Sequence, residues 1–333
     1  MMWEIAKLGD ISKNIQTGPF GSQLHQSDYS ECGIPVVMPK DLVGGKISEE
    51  SIARVDKTHV ERLCRHKIEV GDILYSRRGD VGRCAHVTKK EEGWLCGTGC
   101  LRVTIDSEKA DSRFVFFQLQ HPDTVGWVEK HAVGATMLNL NTTILSSVPI
   151  RLPALEIQKR IADILSAYDD LIENNQKQIK LLEEAAQRLY KEWFVDLRFP
   201  RHENTRIVDG VPEGWNWCKL EDAIQFDPKV TLTKERMKQF IPMSALSTSS
   251  MVLDESQFTE TTSNSGSKFQ NGDTLLARII PCLENGKTAY VSGLKSDEGA
   301  VGSTEYIVMR AKTINAYMVY LLERTDDFRQ SAI

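Results

Sequence analysis

Cysteine and histidine are the residue types that could hold a metal ion, and their spacing in this sequence does not favour a site. The closest of the seven cysteines, Cys96 and Cys100, are separated by Gly-Thr-Gly, and no second Cys or His pair has a zinc-like spacing. The seven histidines never lie four residues apart on a predicted helix, so we expect them on the surface or in loops. We therefore expect no metal site, and free thiols in a reducing compartment.

Two short segments contain some of the residue types with which a DNA methyltransferase holds a flipped base. They are Gly18-Pro19-Phe20-Gly21 and Asp227-Pro228-Lys229, and neither has the order of polar residue, two prolines and aromatic ring. The sequence also contains no phosphate-binding loop with G-x-x-x-x-G-K-[ST], no G-x-G-x-x-G, no G-x-S-x-G elbow and no H-E-x-x-H. We expect no catalytic residue and no cofactor in this chain.

The elements that position the remaining polar residues must come from an ordinary globular chain. Its 333 residues, 41% hydrophobic and 26% charged, are enough for two domains with cores of their own. The net charge of -5 excludes nucleic-acid binding through bulk positive charge, although a local basic groove remains open. No apolar run approaches a membrane span and the N-terminus does not resemble a signal peptide, so we expect a cytoplasmic protein without a membrane partner.

Four segments occur twice, in the same order and at offsets between 201 and 212 residues. A period of this size indicates a duplicated domain rather than a solenoid of short repeats. The pairs are Trp3–Ile11 with Trp215–Ala223, Gly71–Arg77 with Gly272–Arg278, Gly97–Gly99 with Gly302–Thr304, and Phe114–Phe117 with Tyr317–Tyr320.

Each copy combines short strands with a few helices. The turn at Gly71-Asp72 precedes an alternating run, Ile73–Arg77, and Leu101–Ile105 alternates in the same way, so both are predicted strands. Arg113–Leu119 fits a helix or a strand, and we predict a helix because its counterpart, Asn315–Arg324, is a good helical run. The predicted fold class is α+β, with two similar domains.

A different kind of segment lies between the copies, from Glu156 to about Val195. It contains neither Pro nor Gly, lies between Pro153 and Pro200, and is predicted to be a helix. Some 38 residues make a rod of about 57 Å, and a stripe of that length needs a long partner, although a single core helix is the alternative. The stripe of heptad-spaced apolar residues, which we predict to be a subunit interface, includes Ile157, Ile161, Ile164, Tyr168, Leu171, Leu182 and Leu189.

The segment Leu152–Ile161, followed by the long helix and by Tyr190–Pro200, resembles the conserved spacer of type I restriction-modification specificity subunits. Val211-Pro-Glu-Gly-Trp215 resembles the opening of a target recognition domain of that family. Arg278-Ile-Ile-Pro-Cys-Leu-Glu-Asn-Gly-Lys287 is similar to another of its recurring segments. The resemblance extends over essentially the whole chain.

The resemblance implies a DNA-recognition subunit without catalytic residues. Residues 1–152 would be the first target recognition domain, 153–200 the coiled-coil-type spacer helix, and 201–333 a second, incomplete recognition domain. Each domain would read half of a bipartite site in double-stranded DNA, and the spacer would set their separation. Its partners would be two methyltransferase subunits, which methylate adenine with S-adenosylmethionine, and restriction subunits, which cleave DNA with ATP.

Reading base edges in the major groove requires forked or amide donors on loops. For Arg77 and Arg278, a structural ion pair with a nearby carboxylate remains an equal alternative. Gly71 and Gly272, with the Asp that follows each, are expected to form turns. The candidates are Gln16, Ser22, Lys40, Arg77, Arg78, Asn139 and Asn141 in the first copy, and Ser244, Arg278, Asn285 and Lys287 in the second.

Compared with the family pattern, the second copy stops before the equivalents of Gly134–Pro153 and of the spacer helix. We therefore expect a C-terminally truncated specificity subunit whose apolar stripe drives self-association or is covered by methyltransferase subunits. The alternative is a truncated scaffold or remnant that binds methyltransferase subunits or self-associates through the spacer, and reads only one half-site. A self-contained methyltransferase or nuclease is disfavoured by the missing motifs.

Overall fold

The structure, a computed structural model, describes residues 3–134 and 138–332. The chain divides into two compact units, Met1–Ile172 and Glu173–Ile333. Each unit mixes helices with sheets, which confirms the predicted α+β class. The boundary between the units falls within the longest helix of the described residues.

The first unit contains two four-stranded sheets. Its strands are β1 Glu4–Lys7, β2 Ser12–Thr17, β3 Tyr29–Ser30, β4 Ile34–Val37, β5 Leu42–Val43, β6 Lys46–Ile47, β7 Ala53–Val55, β8 Ile73–Ser76, β9 Cys84–His86, β10 Leu95–Cys96, β11 Cys100–Ile105 and β12 Pro149–Leu152. The strand orders in the two sheets are β2-β11-β8-β9 and β10-β4-β7-β3. Its helices are α1 Lys57–Arg62, α2 Ser112–Gln120, α3 Pro122–His131, α4 Thr142–Ser146 and the first part of α5, Leu155–Tyr190.

The second unit also contains two four-stranded sheets. Its strands are β13 Ile207–Val208, β14 Val211–Pro212, β15 Ile224–Phe226, β16 Lys238–Ile241, β17 Thr259–Thr261, β18 Ser267–Phe269, β19 Thr274–Ala277, β20 Thr288–Tyr290, β21 Ala300–Gly302 and β22 Tyr306–Ala311. The strand orders in the two sheets are β15-β22-β19-β20 and β17-β16-β21-β18. Its helices after α5 are α6 Leu220–Ala223, α7 Ala316–Glu323 and α8 Asp326–Ala332.

The first sheet of each unit has the same plan. In both, the opening strand pairs antiparallel with a late strand, which pairs antiparallel with the strand after the Gly-Asp turn. In the second sheets, β4 and β16 correspond, since each pairs antiparallel with one neighbour and parallel with another. The fourth strand differs, because β3 pairs with β7 whereas β18 pairs with β21. The sequence repeat is therefore a repeat of sheet topology.

Strand β8 is buried on both faces because its side chains alternate between two cores. Ile73 and Tyr75 pack in a cluster with the α2 side chains, while Leu74 packs in a second cluster with Val37. Strand β19 does the same, with Leu275 in one cluster and Leu276 in another. Alternation with a period of two residues follows from strand geometry.

The two Gly-Asp turns are structural, as predicted. Gly71 and Gly272 have φ of 91° and 94°, which favours glycine. The Asp that follows each accepts from a backbone N–H three residues earlier, Asp72 from Glu69 at 2.9 Å and Asp273 from Gln270 at 2.8 Å.

The predicted long helix is confirmed as α5, which continues into a π-helical turn at Lys191–Val195. In the first unit the side chain of Gln158 is buried, where it accepts from Asp111 N at 3.0 Å and donates to Pro153 O at 2.8 Å. In the second unit Glu183 accepts from Met251 N at 2.8 Å. At 1.5 Å per residue the 36 residues of α5 extend about 54 Å.

The predicted apolar stripe is largely uncovered by the described part of this chain. Tyr168 and Leu182, for example, are 62% and 70% exposed. Ile161 is half-buried. The other predicted interface residues are exposed as well: Ile157, Ile164, Leu171 and Leu189.

Two sequence expectations about reactive side chains have different outcomes. All seven cysteines are free thiols, as predicted. The expectation of surface or loop histidines is wrong for His66, which is buried in a short 3-10 helix, Cys64–His66, and for His86, which is half-buried on β9. Among residues 3–134 and 138–332, no helix combines the length and apolarity needed to cross a membrane.

Candidate nucleic-acid interface

Arg77 follows directly after β8 and is fixed through its backbone. Its N–H donates to Gly99 O at 2.8 Å, and its carbonyl accepts from Leu140 N at 2.8 Å. The guanidinium lies over the ring of Phe20, with 6.0 Å between Cζ and the ring centroid. Within the described ranges it forms no ion pair with a carboxylate, so the alternative of a structural salt bridge gains no support there.

The loop that carries Phe20 is seated by close backbone packing. Gly18 N donates to Cys100 O at 2.9 Å, and Thr98 Oγ1 donates to Pro19 O at 2.9 Å. A Cβ at Gly18 would lie 2.0 Å from Gly97 O, so only glycine fits this approach. The near-motif Gly18–Gly21 therefore positions an aromatic ring beneath an arginine.

Arg78 and the two predicted asparagines lie beside Arg77. Arg78 forms an isolated antiparallel bridge with Asn139, which also bridges Val133. The side-chain Oδ1 of Asn139 is buried and has no hydrogen-bond partner among the described residues. Asn141 is the N-cap of α4, since its Oδ1 accepts from Ile144 N at 2.8 Å. Its amide therefore has a structural role as a helix cap.

The other candidates of the first unit lie outside this group, and two of them have structural partners. Gln16 donates from Nε2 to Arg65 O at 2.7 Å. Lys40 donates from Nζ to Ser51 O at 2.8 Å. Ser22 is exposed in the loop that follows Phe20.

The 3-10 turn that Gln16 contacts contains the buried His66. Burial lowers the pKa of His66 to about 4, and the nearby charges of Arg65 and Arg102 act in the same direction. The imidazole is therefore neutral near pH 7, and its Nε2 can accept from Arg65 Nε at 3.0 Å. This contact fixes Arg65 rather than leaving its side chain free.

Arg278 has the corresponding position in the second unit, directly after β19. Its N–H donates to Glu305 O at 3.0 Å, and its Nη2 donates to Tyr306 O at 3.0 Å. The side chain lines a cavity of about 330 Å³ together with Lys229 and Lys268. Neither lysine is among the residues predicted from the sequence to contact DNA.

The other candidates of the second unit meet at a neighbouring loop. Lys287 donates from Nζ to Met243 O at 3.2 Å, next to the exposed Ser244. Its carbonyl accepts from Ala277 N at 3.0 Å, which places it beside the end of β19. Asn285 is exposed in the same loop. The structure thus groups Ser244 and Lys287, whereas Arg278 faces the cavity lined by lysines.

Aligning the two sequence copies more closely could have found one of the missed residues. Pro19 and Pro228 each come two positions after the opening strand of their sheet, so Phe20 and Lys229 correspond. Lys268, on β18, gave no comparable signal, because β18 has no counterpart at the same place in the first unit.

The sequence matches the model of a known protein family. The model of the type I restriction modification DNA specificity domain matches residues 2–184, more than half of the chain. The chain belongs to this family. The match confirms the resemblance found in the spacer segment. A DNA specificity domain also agrees with the prediction of a recognition subunit rather than an enzyme.

Two relatives of this specificity chain are type I restriction enzyme specificity subunits. The MjaIX subunit of Methanocaldococcus jannaschii is 28% identical over 233 residues, which are 68% of this chain and 52% of the relative. The HindI subunit of Haemophilus influenzae is 27% identical over 213 residues, 63% of this chain and 44% of the relative. The chain spans about half the length of these relatives.

A solved structure shares the fold of this specificity chain. It is the S subunit of a type I restriction-modification system from M. genitalium, with a TM-score of 0.59 at 15% identity. The likeness covers 99% of this chain and 79% of that one.

Within the part of the chain that the structure describes, no group of three or more His, Cys, Asp or Glu side chains could hold a metal ion.

Proposed function

We propose that this chain recognises DNA for a type I restriction-modification complex, with each unit reading one half of a bipartite site. The observation that carries the proposal is that Arg77 follows β8 and Arg278 follows β19, which are corresponding strands of the two units. Two readers on one chain suit a site with two specific blocks. Family membership supports the same function.

Arg77 is the best candidate for direct base contact. Its guanidinium lies over an aromatic ring, and its buried Nε has no hydrogen-bond partner among the described residues. A bidentate arginine is a common way to read guanine. Arg78 and Asn139 lie next to it and complete a small polar surface. Gln16, Lys40 and Asn141 are weaker candidates, since their side chains bond to this chain's own backbone.

We propose that the exposed face of α5 binds methyltransferase subunits, through which restriction subunits join the complex. Apolar side chains such as Tyr168 and Leu182 lie on a helix of 36 residues and are exposed in the chain alone. Large exposed apolar surfaces of soluble proteins are commonly interaction sites. A rigid helix also holds two readers at a fixed separation, which a flexible linker could not do.

Methylation of a random DNA library tests this function. The full chain would be combined with the methyltransferase subunit of its own system and S-adenosylmethionine, and methylated fragments would be sequenced. We expect adenine methylation at a motif with two specific blocks separated by a fixed number of unspecified bases. A single block, or methylation without a motif, would contradict the proposal.

A further inference from the structure

A cleft in the second unit carries three cationic side chains, and only one of them, Arg278, belongs to the predicted interface. Lys229, Lys268 and Arg278 line this cleft, called here the cationic cleft, which has a volume of about 330 Å³. Lys229 comes from the loop after β15, Lys268 from β18 and Arg278 from the end of β19. Three separate elements therefore bring positive charge to one place.

The carboxylates of the described residues offset only part of that charge. Within residues 3–134 and 138–332, none of the three cations has an ion pair with Asp or Glu. Asp227 also lines the cleft, but its Oδ1 accepts from Val308 N at 3.0 Å and is used by the sheet. In a chain with a net charge of -5, a pocket with three cations and one bonded carboxylate is an unbalanced local charge.

A second cleft, lined by hydroxyl groups, adjoins the cationic cleft at Gly266. Its volume is about 460 Å³, and Gly266 lines both clefts. A Cβ on Gly266 would lie 2.1 Å from Gly302 O, and its φ of 109° also favours glycine, so the place where the clefts meet carries no side chain. Phe240, Pro242 and Met243 also line this cleft, and its hydroxyl groups belong to Thr261, Ser263, Ser265, Ser303 and Thr304.

We infer that the cationic cleft binds phosphate groups of one strand of duplex DNA, and that the hydroxyl-lined cleft continues the path of the same backbone. This inference rests on the proposed function. Lysine, arginine, serine and threonine are the side chains that commonly contact DNA phosphates, and such contacts fix register without reading bases. One donor of Arg278 is used within this chain, since its Nη2 is bonded to Tyr306 O, so the two lysines are the residues to substitute in a test.

The salt dependence of binding measures phosphate contacts directly. The full chain would be titrated with a fluorescently labelled random-sequence duplex of about 30 base pairs between 50 and 200 mM salt. The slope of log K against log salt concentration is negative, and each lost phosphate contact makes it less steep. We expect Lys229→Gln and Lys268→Gln each to reduce its magnitude by about 0.9, and the double variant by about twice that. A base preference selected from a DNA pool should stay the same, because phosphates carry no sequence information.

Lys312→Gln is the matched control. Lys312 follows β22 at the end opposite to Tyr306, and its Nζ donates to Glu221 O at 2.6 Å, so the variant removes the same charge away from the cleft. We expect its slope to equal that of the wild type. Equal folding of all variants would be checked by circular dichroism.

The outcomes separate the inference from the function on which it rests. If the wild type binds no duplex at any salt concentration, both fail. If it binds but the cleft variants keep its slope, the phosphate site is wrong while the proposed function stands. A changed base preference at an unchanged slope would also overturn the inference, because the lysines would then read bases.

Discussion

Arg77 and Arg278 occupy equivalent positions, because each donates its backbone N–H to the residue that precedes the neighbouring strand of its sheet. The acceptors are Gly99 O at 2.8 Å and Glu305 O at 3.0 Å. Their guanidinium groups differ, since one lies over Phe20 and the other bonds to Tyr306 O. The duplicated backbone thus presents the same side chain in two chemical environments, and the two residues should respond differently to substitution.

Substitution of Arg77 should relax the recognition of one base pair. We expect Arg77→Ala to reduce discrimination at one position by about 1 to 3 kcal/mol, because a bidentate contact to a base edge is lost. Arg77→Lys is the matched variant, since it keeps the positive charge but not the planar fork. It should also relax the base preference while its salt dependence stays near that of the wild type. Selection of binding sites from a random pool measures the base preference of both variants, and a titration at several salt concentrations measures the salt dependence.

An unchanged base preference in Arg77→Ala would assign the arginine to structure instead. In that case the variant should lower stability, because the contact with Phe20 and the packing of its loop would be lost. Thermal unfolding of the same variant distinguishes these two results.

The sequence was sufficient to predict the secondary elements whose signals are local. The long run without Pro or Gly predicted α5, the alternation after Gly71 predicted β8, and the recurrence of Phe114–Phe117 as Tyr317–Tyr320 predicted α2 and α7. Each signal depends on periodicity or on a turn residue, and these are properties of neighbouring residues.

The grouping of site residues could not be predicted in the same way, because it depends on contacts between distant segments. Phe20 meets Arg77 only because Gly18 packs against Gly97. Lys268 joins Arg278 through β18, a strand that lies at a different sheet edge from β3 of the first unit. His66 is buried by contacts that its own sequence neighbours do not indicate.

Removal of the Asp273 carboxylate should destabilise the second unit. Asp273 is fully buried and accepts two hydrogen bonds from Arg310, at 2.7 and 2.8 Å. We expect Asp273→Asn to cost about 3 kcal/mol, because it leaves a partly buried guanidinium without its counter-charge. Faster hydrogen exchange in β19 and β22 would report the loss.

The control for this variant is an exposed ion pair of the same unit. Arg236 pairs with Glu298 at 2.8 Å, and their side chains are 64% and 37% exposed. Glu298→Gln should cost less than about 1 kcal/mol, because solvent screens the pair. Equal effects of the two substitutions would contradict the assignment of the Asp273–Arg310 pair as a buried anchor.

Glu323 should make the second unit less stable as pH rises. The side chain is buried on α7, and burial raises its pKa from 4.5 to about 8. Thr288 Oγ1 lies 2.8 Å from Leu275 O and 2.5 Å from Glu323 Oε2. The Thr288 hydroxyl has one proton and can donate to only one of these two oxygens. Both contacts are hydrogen bonds if Thr288 donates to Leu275 O and a protonated Glu323 donates to Thr288.

The raised pKa of Glu323 fixes the sign of the effect. Below pH 4.5 the group is protonated in both states and its stabilising contribution is complete. Between pH 4.5 and about 8 only the unfolded chain releases the proton, so the free energy of unfolding falls by up to a few kcal/mol. Glu323→Gln should flatten this profile in thermal unfolding between pH 5 and pH 8.5. A variant profile as steep as that of the wild type would show that another group is responsible.

Charged substitutions on the exposed face of α5 should weaken methyltransferase binding without unfolding the helix. Leu171 and Leu182 are 53% and 70% exposed, and at 3.6 residues per turn they lie on the same side, about 20° apart. Leu171→Glu and Leu182→Glu therefore disturb an interface more than a core. Gln176→Glu adds the same charge about 140° around the helix from Leu171 and serves as the control. Co-elution with the methyltransferase subunit on size-exclusion chromatography, beside circular dichroism, should show loss of binding for the leucine variants only. Retained binding by both leucine variants would place the partner elsewhere on the chain.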